Sequence, residues 1–466
     1  MHTDLMNHEA LSPRYVDASL PSVERFALPF ALTGFVLTVL IFYPGFLTQD
    51  SFDQYLQART FRFTDWHPPL MAFVWSAADA VWSGPQLMLL LQALGYWGGV
   101  YGLLRALPPS RGLVLAAIGA LLCSPAILNF MGVIWKDVQL AAVWSLVLGC
   151  AFALRARGRP PGVVAIAGLL ALVGYGALVR FNSGLVAGPL VLYVVTGRAR
   201  LASLWSTAAT YLWVAVLIAG LSQGVNRALN ATHTPVLEAL MSFDLTGMAV
   251  SENGSNPFPF PLEPGQLDAL ARCYGDGALQ NPMIWGDCRF VFEKVKNVVV
   301  ADPWAMRRAW VSAVLHDPAA YLSHRFRNFV YFLAPTRSIA SDTFWVSEIR
   351  PNPFGVYAKK FFPYAVLKDY VKFFSSTILF RPATWLAGAM LLLAYVAGFR
   401  KDDEISRFAT TCALIAAAYL MTYLPFGVAY DFRYAYLAIV TTTFGLCAVL
   451  ADVKLDRLWR RPGLED

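Results

Sequence analysis

The segment "MAFVWSAADAVW" (71–82) decides how this chain is threaded. It is apolar but only 12 residues long. As a helix it would reach about 18 Å, against the ~30 Å of hydrocarbon that a span must cross. Counted as a span, it would invert every connector after it and carry the Arg-rich loops to the outer side. Laid on the outer membrane surface with one face buried, it leaves those loops cytoplasmic, as the positive-inside asymmetry requires. His67-Pro68-Pro69 leads into it, and proline suits the first turn of a helix.

Composition sets the frame around this segment. Of 466 residues, 57% are hydrophobic and 14% charged, where an average soluble protein carries roughly 25% charged residues. The apolar residues come in blocks and do not alternate, which excludes a β-barrel and predicts an all-α polytopic membrane protein. About ten spans are expected, at 26–46, 86–104, 112–131, 138–154, 163–179, 184–195, 201–221, 383–399, 409–424 and 435–450. The first block is longer than a signal-peptide core and has no small-x-small cleavage site, so it reads as a retained span. The net charge of +7 implies no nucleic-acid partner, because the basic residues cluster between spans. Arg105 and Arg111, then Arg155, Arg157 and Arg159, Arg198 and Arg200, then Arg400, Lys401 and Arg407, and finally Lys454, Arg457, Arg460 and Arg461 all fall on one side. That side is the cytoplasm, with both termini in it.

Three regions follow. Residues 1–221 form an N-terminal transmembrane module. Residues 222–382 form an extracytoplasmic segment, mainly helical, with juxtamembrane helices. Residues 383–466 supply the last spans and a cytoplasmic tail. Within the second region, "NPFPFPLEPG" (256–265) reads as an irregular loop and "HDPAAYLSHRFRNFVYFL" (316–333) as an amphipathic helix with a basic stripe. Cys273 and Cys288 share this region, and their spacing leaves a disulfide and two free thiols equally open. Cys123, Cys150, Cys412 and Cys447 lie in or near apolar blocks, as packing residues do.

The same topology brings a set of polar stretches to the outer face: "QDSFDQYLQARTFRFTDWHPPL" (49–70), "GVIWKDV" (132–138), "RFNSG" (180–184) and "YDFRY" (430–434). They carry Asp50, Asp53, Asp65, His67, Lys136, Asp137, Arg180, Asp431 and Arg433. Ionisable groups at membrane depth are costly and usually mark function. Each has a plainer alternative: Asp50 as a helix N-cap, His67 as a turn residue, Lys136-Asp137 as a snorkelling pair, Arg180 and Arg433 as interfacial anchors. Together, several acids and fixed cations on one interface suit an anionic lipid-phosphate substrate. Lys136, Arg180 and Arg433 would grip it, Asp65, His67 and Tyr430 would contribute to substrate binding, and a carboxylate would do the chemistry. No Walker loop, zinc-ligand spacing or nucleophile elbow competes.

The first-loop pattern resembles a family. An acid directly after the first span, a short polar stretch ending in "D-x-H-P-P-L" at Asp65 to Leu70, and then a surface helix are similar to the GT-C superfamily of membrane glycosyltransferases. Within it the likeness is greatest to the protein O-mannosyltransferases and the lipid A aminoarabinose transferases. His316 to Arg325 fits the "H-x-P-x-x-Y-L-x-H-R" stretch of bacterial relatives. The resemblance covers the N-terminal half well and the rest loosely. It implies a GT-C-like fold and transfer of a sugar from a polyprenyl-phosphate donor to a glycan, lipid or protein acceptor. The transfer would occur on the outer face of the plasma (bacterial inner) membrane. It puts Asp50 at the first-loop catalytic acid, Asp137 at the second-loop acid, and His67-Pro68-Pro69 beside the donor site. The family often has Asp-Glu where this chain has Asp50-Ser51, which leaves a second carboxylate and a metal open. With six histidines and no ligand-like cluster, a divalent metal is optional and no other cofactor is implied. A transporter of lipid-linked saccharide is the rival class, and a glycan polymerase or ligase is a close chemical neighbour.

Overall fold

A computed structural model of the chain describes residues 23–108, 110, 112–158, 161–251, 256–275, 280–334, 352–357 and 362–452. Arg111, Arg159, Lys454, Arg457, Arg460 and Arg461, on which part of the topology reading rests, lie outside the described residues, as do both termini.

The described secondary structure is helical, with two isolated parallel β-bridges and no strand. The N-terminal half runs α1 Val23–Phe42, α2 Gln49–Thr60, α3 Leu70–Val81, α4 Gln86–Ala106, α5 Gly112–Leu122, α6 Pro125–Leu128, α7 Lys136–Ala156, α8 Val163–Leu178, α9 Gly188–Thr196 and α10 Leu204–Ala228. Next come α11 Val236–Ser251, α12 Gln266–Tyr274, α13 Asn281–Ile284, α14 Phe290–Ala301, α15 Ala305–His316, α16 Pro318–Leu333 and α17 Phe362–Phe374. The chain closes with α18 Pro382–Phe399, α19 Glu404–Met421, α20 Tyr423–Phe426 and α21 Tyr436–Asp452.

Among the described residues, seven helices are long and apolar enough to cross a membrane: α1, α4, α7, α10, α18, α19 with α20, and α21 with the 3-10 turn before it. The chain is therefore a polytopic helical membrane protein. The other three expected spans are shorter than their apolar blocks. Ser124-Pro125 interrupts the 112–131 block, leaving 11 residues in α5, since the residue before a proline is pushed out of the α region. The 184–195 block divides into a 3-10 turn, Ser183–Val186, and the nine-residue α9. The eighth helix has 16 residues, about 24 Å. The first helix ends at Phe42, before the expected 46, where Pro44 follows and Gly45 takes φ 115°.

The core is built on α4 and α7, which pack backbone to backbone. A Cβ on Gly99 would collide with the Ser145 carbonyl, and one on Gly102 with Gly149. Small residues spaced along both helices permit this approach, and van der Waals contact over its length is what associates helices in lipid. Polar groups inside the bundle are used to finish broken backbone. Gln92 Nε2 donates to the Met131 carbonyl at 2.7 Å, and Tyr96 donates to the end carbonyl of α5 at Leu122, also at 2.7 Å.

The short helix α3 shows the one-faced burial that the sequence predicts, with Met71, Ala72, Trp75, Ser76 and Ala78 buried and Phe73 and Val81 exposed. It forms a hairpin with α2. Tyr55 stacks on Trp75 with centroids 4.9 Å apart and donates to Asp79 at 2.6 Å. Residues 236–313 have their own small core of Phe243, Leu245, Leu270, Tyr274, Met283 and Val291. Cys273 and Cys288 are bonded there, across a 15-residue separation.

Candidate active site

Two loops 87 residues apart, counted from Phe46 to Val133, are zipped together just after α1 and just before α7. Phe46 N–H donates to the Gly132 carbonyl and Ile134 N–H to the Phe46 carbonyl, each at 2.9 Å, in a one-step parallel bridge. Ser51 Oγ then donates to the Ile134 carbonyl at 2.8 Å, and Trp135 Nε1 to Thr48 Oγ1 at 2.6 Å. This zipper sets the start of α2 against the start of α7, and so Asp50 beside Lys136-Asp137.

Asp50 is not the cap of α2. Thr48 is, in extended conformation at φ −110° and ψ −176°, with Ser51 Oγ accepting the Thr48 N–H at 3.2 Å. Asp50 sits inside the first turn, where the helix dipole favours an anion. Its Oδ2 accepts from Arg433 Nη1 at 2.9 Å. Burial by itself would raise the Asp50 carboxyl. The charges of Arg433 and Lys136 and the Arg433 hydrogen bond outweigh burial and hold it well below the usual carboxylate range.

Arg433 is shared. Its Nε lies 2.9 Å from Asp431 Oδ2, and its guanidinium rests over the Trp135 ring, 4.6 Å from the centroid. Asp431 also accepts the Arg433 N–H at 3.0 Å, which shapes the 3-10 turn Phe432–Ala435. Beside this pair, Lys136 Nζ is 2.6 Å from His67 Nδ1. An ammonium has no acceptor, so Nδ1 must accept and the ring proton lies on Nε2. Burial first, and the Lys136 charge second, push His67 down to about 3, so it stays neutral at pH 7. Lys136 makes no ion pair with a carboxylate among the described residues, unlike Arg180 and Arg433.

The third part is deeper. Asp137, 2% exposed, is ion-paired with Arg180, 8% exposed. Arg180 donates from Nη2 to the Tyr423 hydroxyl at 2.7 Å and from Nε to Asn182 Oδ1 at 3.1 Å, and it covers the Tyr434 ring at 4.9 Å. Five separate stretches of chain thus contribute to one belt of charged and polar groups: 50, 67, 136–137, 180 and 431–433.

Asp65 is used elsewhere. Its Oδ1 accepts from Thr234 N–H and Oγ1, at 2.5 and 2.7 Å, and its Oδ2 pairs with His233 Nδ1 at 2.7 Å. It latches the first loop to the chain leaving α10. Tyr430 packs towards α16, its ring 6.2 Å from that of Tyr331. Tyr423 and Tyr434 were not singled out in the sequence, where each looks like one more interfacial tyrosine; only their contacts with Arg180 mark them. Among the described residues no group of three or more His, Cys, Asp or Glu side chains is arranged to hold a metal ion.

No family model, curated protein or solved structure matches the chain.

Proposed function

We propose that the chain is a membrane glycosyltransferase of GT-C type. It moves a sugar from a polyprenyl phosphate to an acceptor hydroxyl on the extracytoplasmic face. One observation carries the reading. Asp50, the residue that the first-loop resemblance makes the catalytic acid, heads a cluster of three carboxylates and three cations drawn from distant parts of the chain. The Cys273–Cys288 bond supports an outer location for residues 222–382, because structural disulfides persist in oxidising compartments.

In the proposed reaction the Asp50 carboxylate takes the proton of the acceptor hydroxyl as its oxygen bonds to C1 of the sugar. The bond from C1 to the phosphate oxygen breaks on the opposite face, with inversion, and both electrons leave with polyprenyl phosphate. Lys136, held by neutral His67, is the cation that offsets the growing phosphate charge, and Arg433 assists. In the resting arrangement Arg433 binds Asp50 itself. A donor phosphate would compete for that guanidinium and leave Asp50 a stronger base when substrate is present. Asp137 and Arg180 neutralise each other behind the site and hold its wall. A saccharide transporter would instead be expected to carry its ionisable groups near the bilayer midplane.

The test is incubation of the purified protein in lipid with a panel of polyprenyl-phosphate sugars, scored by mass spectrometry for polyprenyl phosphate. Release with at least one donor and an outer-membrane or periplasmic acceptor extract supports the reading; no release with any donor counts against it.

A further inference from the structure

A second buried charge cluster lies outside the belt just described. Asp244 of α11 is 1% exposed, and His324 and Arg325 of α16 are 2% and 3% exposed. Asp244 Oδ1 lies 2.6 Å from Arg325 Nη2 and 3.0 Å from His324 Nε2, and Oδ2 accepts from Trp310 Nε1 at 2.8 Å. His324 Nδ1 is 2.7 Å from the Tyr274 hydroxyl. Burying such a cluster is costly and adds little net stability over an apolar core. Its geometry does something a hydrophobic core could not. With one nitrogen clamped by Asp244, Arg325 directs the other, Nη1, to the carbonyl of Gly427 at 2.9 Å.

Gly427 opens the non-helical run between α20 and the Phe432–Ala435 turn. That run is fixed at its next residue too, where the Val428 carbonyl accepts the Gln280 N–H at 3.0 Å. There is no room to slide: a Cβ on Gly427 would collide with the Tyr423 carbonyl and crowd Asn328 Oδ1. Upstream of the run stands Tyr423, which binds Arg180. Downstream stand Asp431 and Arg433, which binds Asp50.

We propose that Arg325 is a positioning residue: it sets the 427–433 run from the helical segment 236–333 and through that run aims Arg433 at Asp50. It touches neither substrate nor Asp50. Its effect on turnover rests on the glycosyltransferase reading, but its effect on the run does not.

The experiment is hydrogen–deuterium exchange on the full chain in nanodiscs, comparing parent, Arg325→Lys, Arg325→Met and Arg327→Met. The last removes a charge that the same helix places over the Tyr274 ring, whereas Arg325 reaches the Gly427 carbonyl. Peptides spanning 427–435 are expected to exchange at least tenfold faster in both Arg325 variants, with α4 and α7 unchanged and the Arg327 variant like the parent. If Arg325→Met fails to fold, the double variant Asp244→Asn/Arg325→Gln keeps the cluster neutral and is read the same way. Unchanged exchange at 427–435 in folded Arg325 variants overturns the proposal, as does loosening that spreads equally through α4 and α7. Donor turnover measured on the same samples is expected to fall at least tenfold in Arg325→Lys, with less change in the Arg327 variant. Local loosening in a parent protein that transfers no sugar would leave the positioning role standing and sink the glycosyltransferase reading alone.

Discussion

Asp50 and Arg433 stand 383 residues apart in the chain and 2.9 Å apart in space. The pair is possible because the Phe432–Ala435 turn sets the Arg433 guanidinium on the ring of Trp135, two residues past the Phe46–Val133 bridge. Arg433 is held by two carboxylates and an aromatic face. Arg433→Ala is expected to weaken donor use by about 2 kcal/mol, in the range for a charge-assisted hydrogen bond, or roughly 30-fold in kcat/KM. Arg180→Ala is expected to fall mainly in folded yield, since it would leave Asp137 buried without its cation. Donor saturation curves on the two purified variants decide this. Curves for Arg433→Ala that overlay the parent would return Arg433 to an anchoring role.

His67 gives a pH prediction with a definite sign. Its folded value of about 3 lies below the ordinary histidine value. Between the two, the unfolded chain binds a proton that the folded chain excludes. Stability from this residue is therefore intact above the ordinary value and is lost as pH falls towards 3, at up to about 1.4 kcal/mol per pH unit. His67→Gln removes the titration and keeps an acceptor for Lys136. Between pH 6 and 5 the parent is expected to lose about 1 kcal/mol more than the variant, read from reversible unfolding in mixed micelles. Equal pH slopes would mean that His67 is protonated in the fold and that Lys136 is held some other way.

The Cys273–Cys288 bond closes a 15-residue separation. A loop of that length corresponds to about 3 kcal/mol of lost unfolded-state entropy. Cys273→Ser/Cys288→Ser is expected to become sensitive to limited proteolysis within 256–313 while the spans stay resistant. A digestion pattern identical to the parent would show that the small core around Phe243 and Leu270 holds the segment unaided.

Orientation is open to direct labelling. Thr60, at the end of α2, and Lys401, between α18 and α19, are both exposed, whereas Ser51 and Ser406 are buried and poor reporters. Thr60→Cys is expected to react with an impermeant maleimide on intact cells and Lys401→Cys only after permeabilisation. The reverse pattern would put the Asp50 cluster in the cytoplasm and remove the case for a lipid-linked donor.

Hydropathy made the helical membrane class, the long spans and the one-faced burial of α3 legible, because each depends on an unbroken apolar run or a one-faced period. The breaks at Ser124-Pro125 and between Val186 and Gly188 were less so; apolar composition continues across them while the backbone does not. In the site, polar residues at the ends of apolar blocks could be grouped together, but their pairing could not be read. Asp65 illustrates the limit. It looks like a companion to Asp50, yet the Thr64–Thr232 bridge draws it to His233 and Thr234. Asp244 was invisible for the opposite reason: a single acid in "MSFDLTG" gives no hint that His324 and Arg325 will converge on it.

One substitution isolates the role proposed for Asp50 as the general base of sugar transfer. Asn in place of Asp50 keeps the shape of the side chain, leaves the Thr48–Ser51 cap of α2 untouched, and removes basicity. General-base catalysis contributes at least ~100-fold. Purified parent and Asp50→Asn proteins in nanodiscs, given a polyprenyl-phosphate sugar that the parent uses, should bind the donor comparably. The variant should release polyprenyl phosphate at least ~100-fold more slowly. Transfer by Asp50→Asn at close to the parent rate would rule Asp50 out as the base and move the search to Asp137 or Asp431.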